Sequence, residues 1–134
     1  MILIGNGTGI AGLRGILREA DAQSSHGHWL IFGERTSQYD HLLATELNAW
    51  QATGHLSKAD YAFSRDQAAK IYVQHRIEEH AADLRSWMEA GATLYLCGSL
   101  LGMSSEVDKA LRLILGDPHV ETLLSEGRYK RDVY

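Results

Sequence analysis

Residues 1–17, MILIGNGTGIAGLRGIL, decide how the rest of the chain is read. An apolar run, Met1 to Ile4, stops at glycine, and Gly5, Gly7, Gly9, Gly12 and Gly15 follow within eleven positions. An apolar run that ends at glycines predicts a short buried strand feeding a tight turn. Leu13 to Ala20 then carries helical apolar spacing. Strand, glycine turn and helix make a place for phosphate, because backbone N–H groups and the helix dipole converge there.

The rest of the chain repeats this alternation. Trp29-Leu30-Ile31-Phe32 ends at Gly33, Asp60-Tyr61-Ala62-Phe63 ends at Ser64, and Thr93-Leu94-Tyr95-Leu96-Cys97 ends at Gly98. Between the apolar runs, Tyr39 to Ala52 is predicted helical, with Leu42, Leu43, Leu47 and Trp50 on one face. Gln74 to Ala90 repeats Ile77, Ala81, Leu84 and Met88 at helical spacing, and Met103 to Leu115 does so through Val107, Leu111 and Ile114. Alternating β and α elements predict an α/β fold, a parallel sheet with helices on both faces. Ligands of such sheets bind beyond the carboxyl ends of the strands, which selects the segments after residues 4, 32, 63 and 96.

Composition narrows the function. At 134 residues the expectation is one domain, residues 1–134, with no linker, repeat or low-complexity tract and a single proline, Pro118. The apolar fraction of 45% and charged fraction of 22% are ordinary for a globular protein. A net charge of −4 gives no support to general nucleic-acid binding. No apolar run approaches the ~20 residues of a membrane span, and no basic leader with a small-residue cleavage site is seen. The lone Cys97 excludes an internal disulfide and fits a reducing compartment, so the expected location is the cytoplasm.

The strand ends carry the chemistry. Gly7-Thr8-Gly9-Ile10-Ala11-Gly12 satisfies G-x-G-x-x-G, a weak pattern alone that gains weight between a strand and a helix. Glu34 lies about twenty residues on, where an acid binds a ribose 2′-hydroxyl and favours NAD. The third strand end argues for NADP instead. Ser64 and Arg65, with Lys70 five residues later, supply a hydroxyl, a planar fork and a second cation, which suit a dianionic 2′-phosphate. The plainer reading makes Ser64 a turn cap and the two cations surface charges. Cys97 closes the fourth strand, either as a small core residue or with its sulfur against a nicotinamide. The end of the chain, GRYKRDVY (residues 127–134), carries β-formers and aromatics and looks built to dock.

Five segments in order, IGNGTGIAGLRG, FGER, FSRDQAAKIYVQHRI, YLCGSLLGM and GRYKRDVY, resemble the NADP(H)-binding domain of ferredoxin–NADP reductase-like flavoproteins. The likeness is greatest to the diflavin reductases of the sulfite reductase and cytochrome P450 reductase types, and covers nearly all of the chain. It implies a three-layer αβα sandwich on a five-stranded parallel sheet of order 3-2-1-4-5, with the fifth strand near Arg128 to Val133. It further implies that Gly7, Thr8 and Gly9 hold the pyrophosphate, with Arg35 contacting it. Ser64, Arg65 and Lys70 would bind the 2′-phosphate, and Tyr72 and Gln74 would line the adenosine end. Cys97 would lie beside nicotinamide C4 with Asp132 nearby, and Tyr134 would stack on the flavin ring until nicotinamide displaces it.

The resemblance makes NADP(H) the expected cofactor despite Glu34. FAD, and in diflavin members FMN, would come from a domain or chain outside these 134 residues, so these residues alone are not expected to turn over. Expected partners are NADPH, a flavin-binding domain or chain, and a downstream electron-acceptor protein. The reading from a different class is a non-catalytic NADP(H)-binding module that acts through a partner protein. Where the family carries proline this chain has Gly12, which implies a more mobile loop.

Other polar residues read as structure. His26 and His28 lack a third ligand at suitable spacing, so no metal is expected. His75 and His80 are expected on the surface flanking one helix. Trp29, Trp50 and Trp87 read as core and Tyr129 as packing. Glu78, Glu79, Asp83 and Glu89 read as a solvated helix face.

Overall fold

A computed structural model describes residues 1–23, 27–34, 41–63, 72–98 and 100–133. β1 (Ile2–Asn6) runs into a 3₁₀ turn over Gly7–Gly9 and then α1 (Ile10–Ala22). There follow β2 (His28–Glu34), α2 (His41–Thr53), β3 (Leu56–Phe63), α3 (Val73–Glu79) and α4 (Ala81–Glu89). β4 (Leu94–Gly98), a π-helical turn over Leu100–Ser104, α5 (Ser105–Leu115), α6 (Asp117–Ser125) and β5 (Tyr129–Val133) complete the chain. The sheet has the order β3-β2-β1-β4-β5, as the resemblance implies, and every neighbouring pair is parallel, as the alternation of elements predicts.

The apolar runs are continuous because both faces of the central strands are covered. Ile2, Ile4, Trp29, Ile31, Leu94 and Leu96 face one core, shared with Val73 and Ile77 of α3, Leu84 and Met88 of α4, Val107 and Leu111 of α5, and Val120 and Leu123 of α6. Leu3, Leu30, Phe32 and Cys97 alternate to the other face, against Leu13 and Leu17 of α1 and Leu47 and Trp50 of α2. Each such leucine or isoleucine taken fully out of water contributes about 1.5–3 kcal/mol. The result is three layers, αβα. Among the described residues no helix is long and apolar enough to cross a membrane.

Three expectations need correcting. The helix predicted over Gln74–Ala90 is two helices, broken at His80, whose backbone leaves helical geometry at φ −108° and ψ 29°. His80 is half-buried: its Nε2 lies 3.0 Å from Asp60 Oδ1, its Nδ1 3.3 Å from Lys58 Nζ, and its ring stands edge-on to Trp29. The break brings this ring onto β2 and β3, so His80 is not a plain surface residue at a helix end. β3 begins four residues earlier than predicted, at Leu56. It is the edge strand; its polar Ser57 is exposed, while the Lys58 ammonium lies 4.4 Å over the Trp29 ring and pairs with Asp83. α6 has no counterpart in the sequence reading; Pro118 lies in its first turn, where a missing N–H costs nothing.

Candidate functional site

The carboxyl ends of the strands form one edge, and its register is fixed. Cys97 pairs with Gly5 of β1 on one side and Asp132 of β5 on the other. One residue further, Asn6 pairs with Gly33 of β2 and Gly98 with Val133. Glu34 ends β2 opposite Phe63 of β3. The sequence-predicted residues Gly7, Thr8, Gly9, Cys97 and Asp132 are therefore gathered on one edge.

That edge is floored by glycine for steric reasons. A Cβ on Gly5 would come within 2.7 Å of Leu13 Cδ1 and 2.8 Å of the Cys97 carbonyl oxygen. One on Gly9 would run into the same carbonyl, and one on Gly33 would meet Val73 Cγ2 at 2.6 Å. Gly98 has φ +145°, and a Cβ there would strike Asn6 Oδ1 and approach Met103 Cε to 2.6 Å. Gly9 thus lets the start of α1 settle directly on the end of β4. The helix begins with Gly9 as its N-cap, with no side-chain cap bond and no acid in its first turn. Its first amide N–H groups have no side chain of the cap to satisfy them, and the dipole adds positive potential. Backbone donors without a competing carboxylate are what an oxyanion needs.

The third glycine of the motif behaves differently from the second. A Cβ on Gly12 would sit 3.5 Å from Cys97 Sγ, an ordinary contact. The motif's close approach is made at Gly9.

Cys97 is 4% exposed. Burial pushes its thiol up, and the carboxylate of Asp132 on the adjacent strand pushes it further. It is a neutral thiol at physiological pH, neither a nucleophile nor a metal ligand in that form. Asp132 is exposed beside it.

Tyr72 and Gln74 stand at the start of α3. Val73 between them packs against Gly33, which ties this helix end to the end of β2. Tyr72 is 43% exposed; its N–H donates to His75 Nδ1 at 2.8 Å, and the two rings lie 5.7 Å apart. Behind them α3 is held to β3 by Arg76, whose Nε donates to the Tyr61 carbonyl at 2.8 Å. The ends of β2 and β3 and the start of α3 so form the other flank of the edge.

The predicted residues Arg35, Ser64, Arg65, Lys70 and Tyr134 lie outside the described residues, as does His26. His28 is buried. Sequence reasoning missed Gly33, Gly98 and Asn6. The available signal for Asn6 was a polar residue closing an otherwise apolar strand just before the glycine turn.

The family model of the oxidoreductase NAD-binding domain matches residues 3–109. The sulfite reductase (NADPH) flavoprotein alpha-component of Shewanella sp. strain MR-7 is 42% identical over 145 aligned positions, covering the whole of this chain and 24% of its own length. Its counterparts from Aliivibrio fischeri and Vibrio parahaemolyticus are each 39% identical, again across the whole chain, covering 24% and 23% of their lengths. The chain spans about a quarter of the length of the curated relatives it matches.

Proposed function

The chain belongs to the family of oxidoreductase NAD-binding domains, and from that premise we propose that it is the NADP(H)-binding portion of a flavoprotein reductase of the sulfite reductase type. The observation that carries the reading is the fit of Gly9 against the Cys97 carbonyl, which leaves an uncapped helix start over a glycine-floored strand edge. Such an edge accepts a pyrophosphate closely, and no Cβ stands in its way.

On this reading Gly7, Thr8 and Gly9 hold the pyrophosphate by backbone N–H groups, with Arg35 as a counter-charge. Ser64, Arg65 and Lys70 grip the 2′-phosphate, and Tyr72 and Gln74 flank the adenosine. Cys97 stays a neutral thiol and packs beside nicotinamide C4, shaping and drying that end of the site. Asp132 sets a negative charge where the ring gains positive charge, and Tyr134 covers a flavin face. When bound, NADPH supplies a hydride for a flavin, and the protein contributes binding, orientation and electrostatics. The flavin belongs to another domain or chain, and an electron-acceptor protein lies downstream. A soluble, cytoplasmic setting goes with this assignment.

Titration calorimetry tests it. NADP⁺ is expected to bind on the order of tenfold or more tighter than NAD⁺, since charge-assisted contacts to the extra phosphate contribute about 1.5–3 kcal/mol each. The double variant Arg65→Ala, Lys70→Ala should remove that preference and leave NAD⁺ binding unchanged. Equal affinities in the unaltered chain would refute the NADP assignment.

A further inference from the structure

We propose that Asn6 is a pyrophosphate-binding residue, its carboxamide N–H donating to a phosphate oxygen where the dinucleotide crosses the centre of the sheet. The inference rests on the nucleotide reading above and adds to it a side-chain contact. Asn6 is the last residue of β1, the central strand of the five. Its Cα partner on β2 is Gly33, and on the β4 side its Oδ1 fills the space that a Cβ of Gly98 would need. Asn6 is thus the one residue with a side chain in the row Gly33–Asn6–Gly98, and this row separates the flank of Tyr72 and Gln74 from that of Cys97 and Asp132.

Asn6 is half-buried, and its carboxamide makes no side-chain hydrogen bond to any described residue. An amide group has two donor hydrogens and an acceptor oxygen to satisfy, and those the protein leaves unpaired are open to water or a ligand. Here the oxygen leans on Gly98, which leaves the amino group to serve a ligand. Gly7, with φ +50°, follows directly, and then the uncapped start of α1. Asn6 and these backbone amides therefore line the same spot. A dinucleotide whose adenosine lies toward α3 and whose nicotinamide lies toward Cys97 carries its pyrophosphate over this row. An anion there meets a donor on a neutral side chain.

Two variants distinguish a phosphate ligand from a filler of space. Asn6→Ala removes both the donor and the volume, whereas Asn6→Asp keeps the volume and replaces the donor with a negative charge. Calorimetry with NADP⁺ should show about a tenfold loss for Ala and a larger loss for Asp, which would hold a charge against a phosphate. Adenosine 2′-monophosphate, which lacks the pyrophosphate, should bind all three proteins equally, and melting temperatures check that each variant folds. If Ala fails to fold, the near-isosteric Asp variant carries the test alone. An Asp variant that binds NADP⁺ like the unaltered chain, or a variant that loses adenosine 2′-monophosphate in parallel, overturns the role of Asn6. Unaltered chain that binds neither probe overturns the nucleotide reading itself, and this inference with it.

Discussion

Gly9 lies so close to the backbone carbonyl of Cys97 that no side chain fits between them. This single approach seats α1 on β4 and aims the helix start at the strand edge. Gly9→Ala must push helix and strand apart. It is expected to lose about 1–3 kcal/mol of stability, the usual cost of forcing atoms into a packed site. Gly15, in the middle of the same helix, has open space where a Cβ would go, so Gly15→Ala should gain about 0.5–1 kcal/mol. Urea unfolding of both variants checks the contrast. Two gains of equal size would mean that helix propensity, not the contact with Cys97, governs the segment.

Asp60 joins two layers. Its Oδ2 accepts from Trp29 Nε1 at 2.7 Å, and its Oδ1 faces His80 Nε2 at 3.0 Å. Trp29 is fully buried, so Asp60→Leu leaves an indole N–H without an acceptor, at about 1–3 kcal/mol. Asp60→Asn retains an oxygen for the indole and should lose less. Chemical denaturation monitored by tryptophan fluorescence measures both. A Leu variant as stable as the Asn variant would show that the indole bond adds little.

The base side of the stability curve follows from two buried acids. Burial and then the Asp132 carboxylate push the Cys97 thiol up. Burial and then Asp108, which accepts from the Tyr129 hydroxyl at 3.1 Å, push the Tyr129 phenol well above its ordinary range. The unfolded chain releases both protons first, so it holds fewer protons than the folded chain as pH climbs. Stability is fully present below the ordinary thiol range and falls as pH rises through about 8.5 and then about 10. Cys97→Ala should flatten the first part of this decline and leave the second. Unfolding free energies measured at intervals from neutral pH to about pH 11 test it, and a curve rising with pH would contradict the assignment.

Much of this fold was legible in the sequence because parallel strands buried on both faces must be apolar throughout, and the runs ending at Asn6, Gly33 and Gly98 are. The start of β3 was not, because an edge strand needs only one covered face, and Ser57 and Lys58 look like loop. The break at His80 was hidden as well. Ile77, Leu84 and Met88 keep helical spacing straight through it, and its partners Asp60 and Lys58 come from β3. In the candidate site, the positions of Gly7 and Gly9 after β1 and of Cys97 near the end of β4 were legible from the apolar runs. Gly33, Gly98 and Asn6 acquire meaning only once the register sets them side by side.

The central claim is that the dinucleotide lies across this glycine-floored edge. Amide chemical-shift mapping during titration with NADP⁺ tests it most directly, since glycines report from both ends of the sheet. The expected result is shifts concentrated at Gly7, Gly9, Gly33 and Gly98, with Gly54 and Gly91, before β3 and β4, unmoved. Shifts confined to Gly54 and Gly91, with the edge glycines silent, would contradict the account.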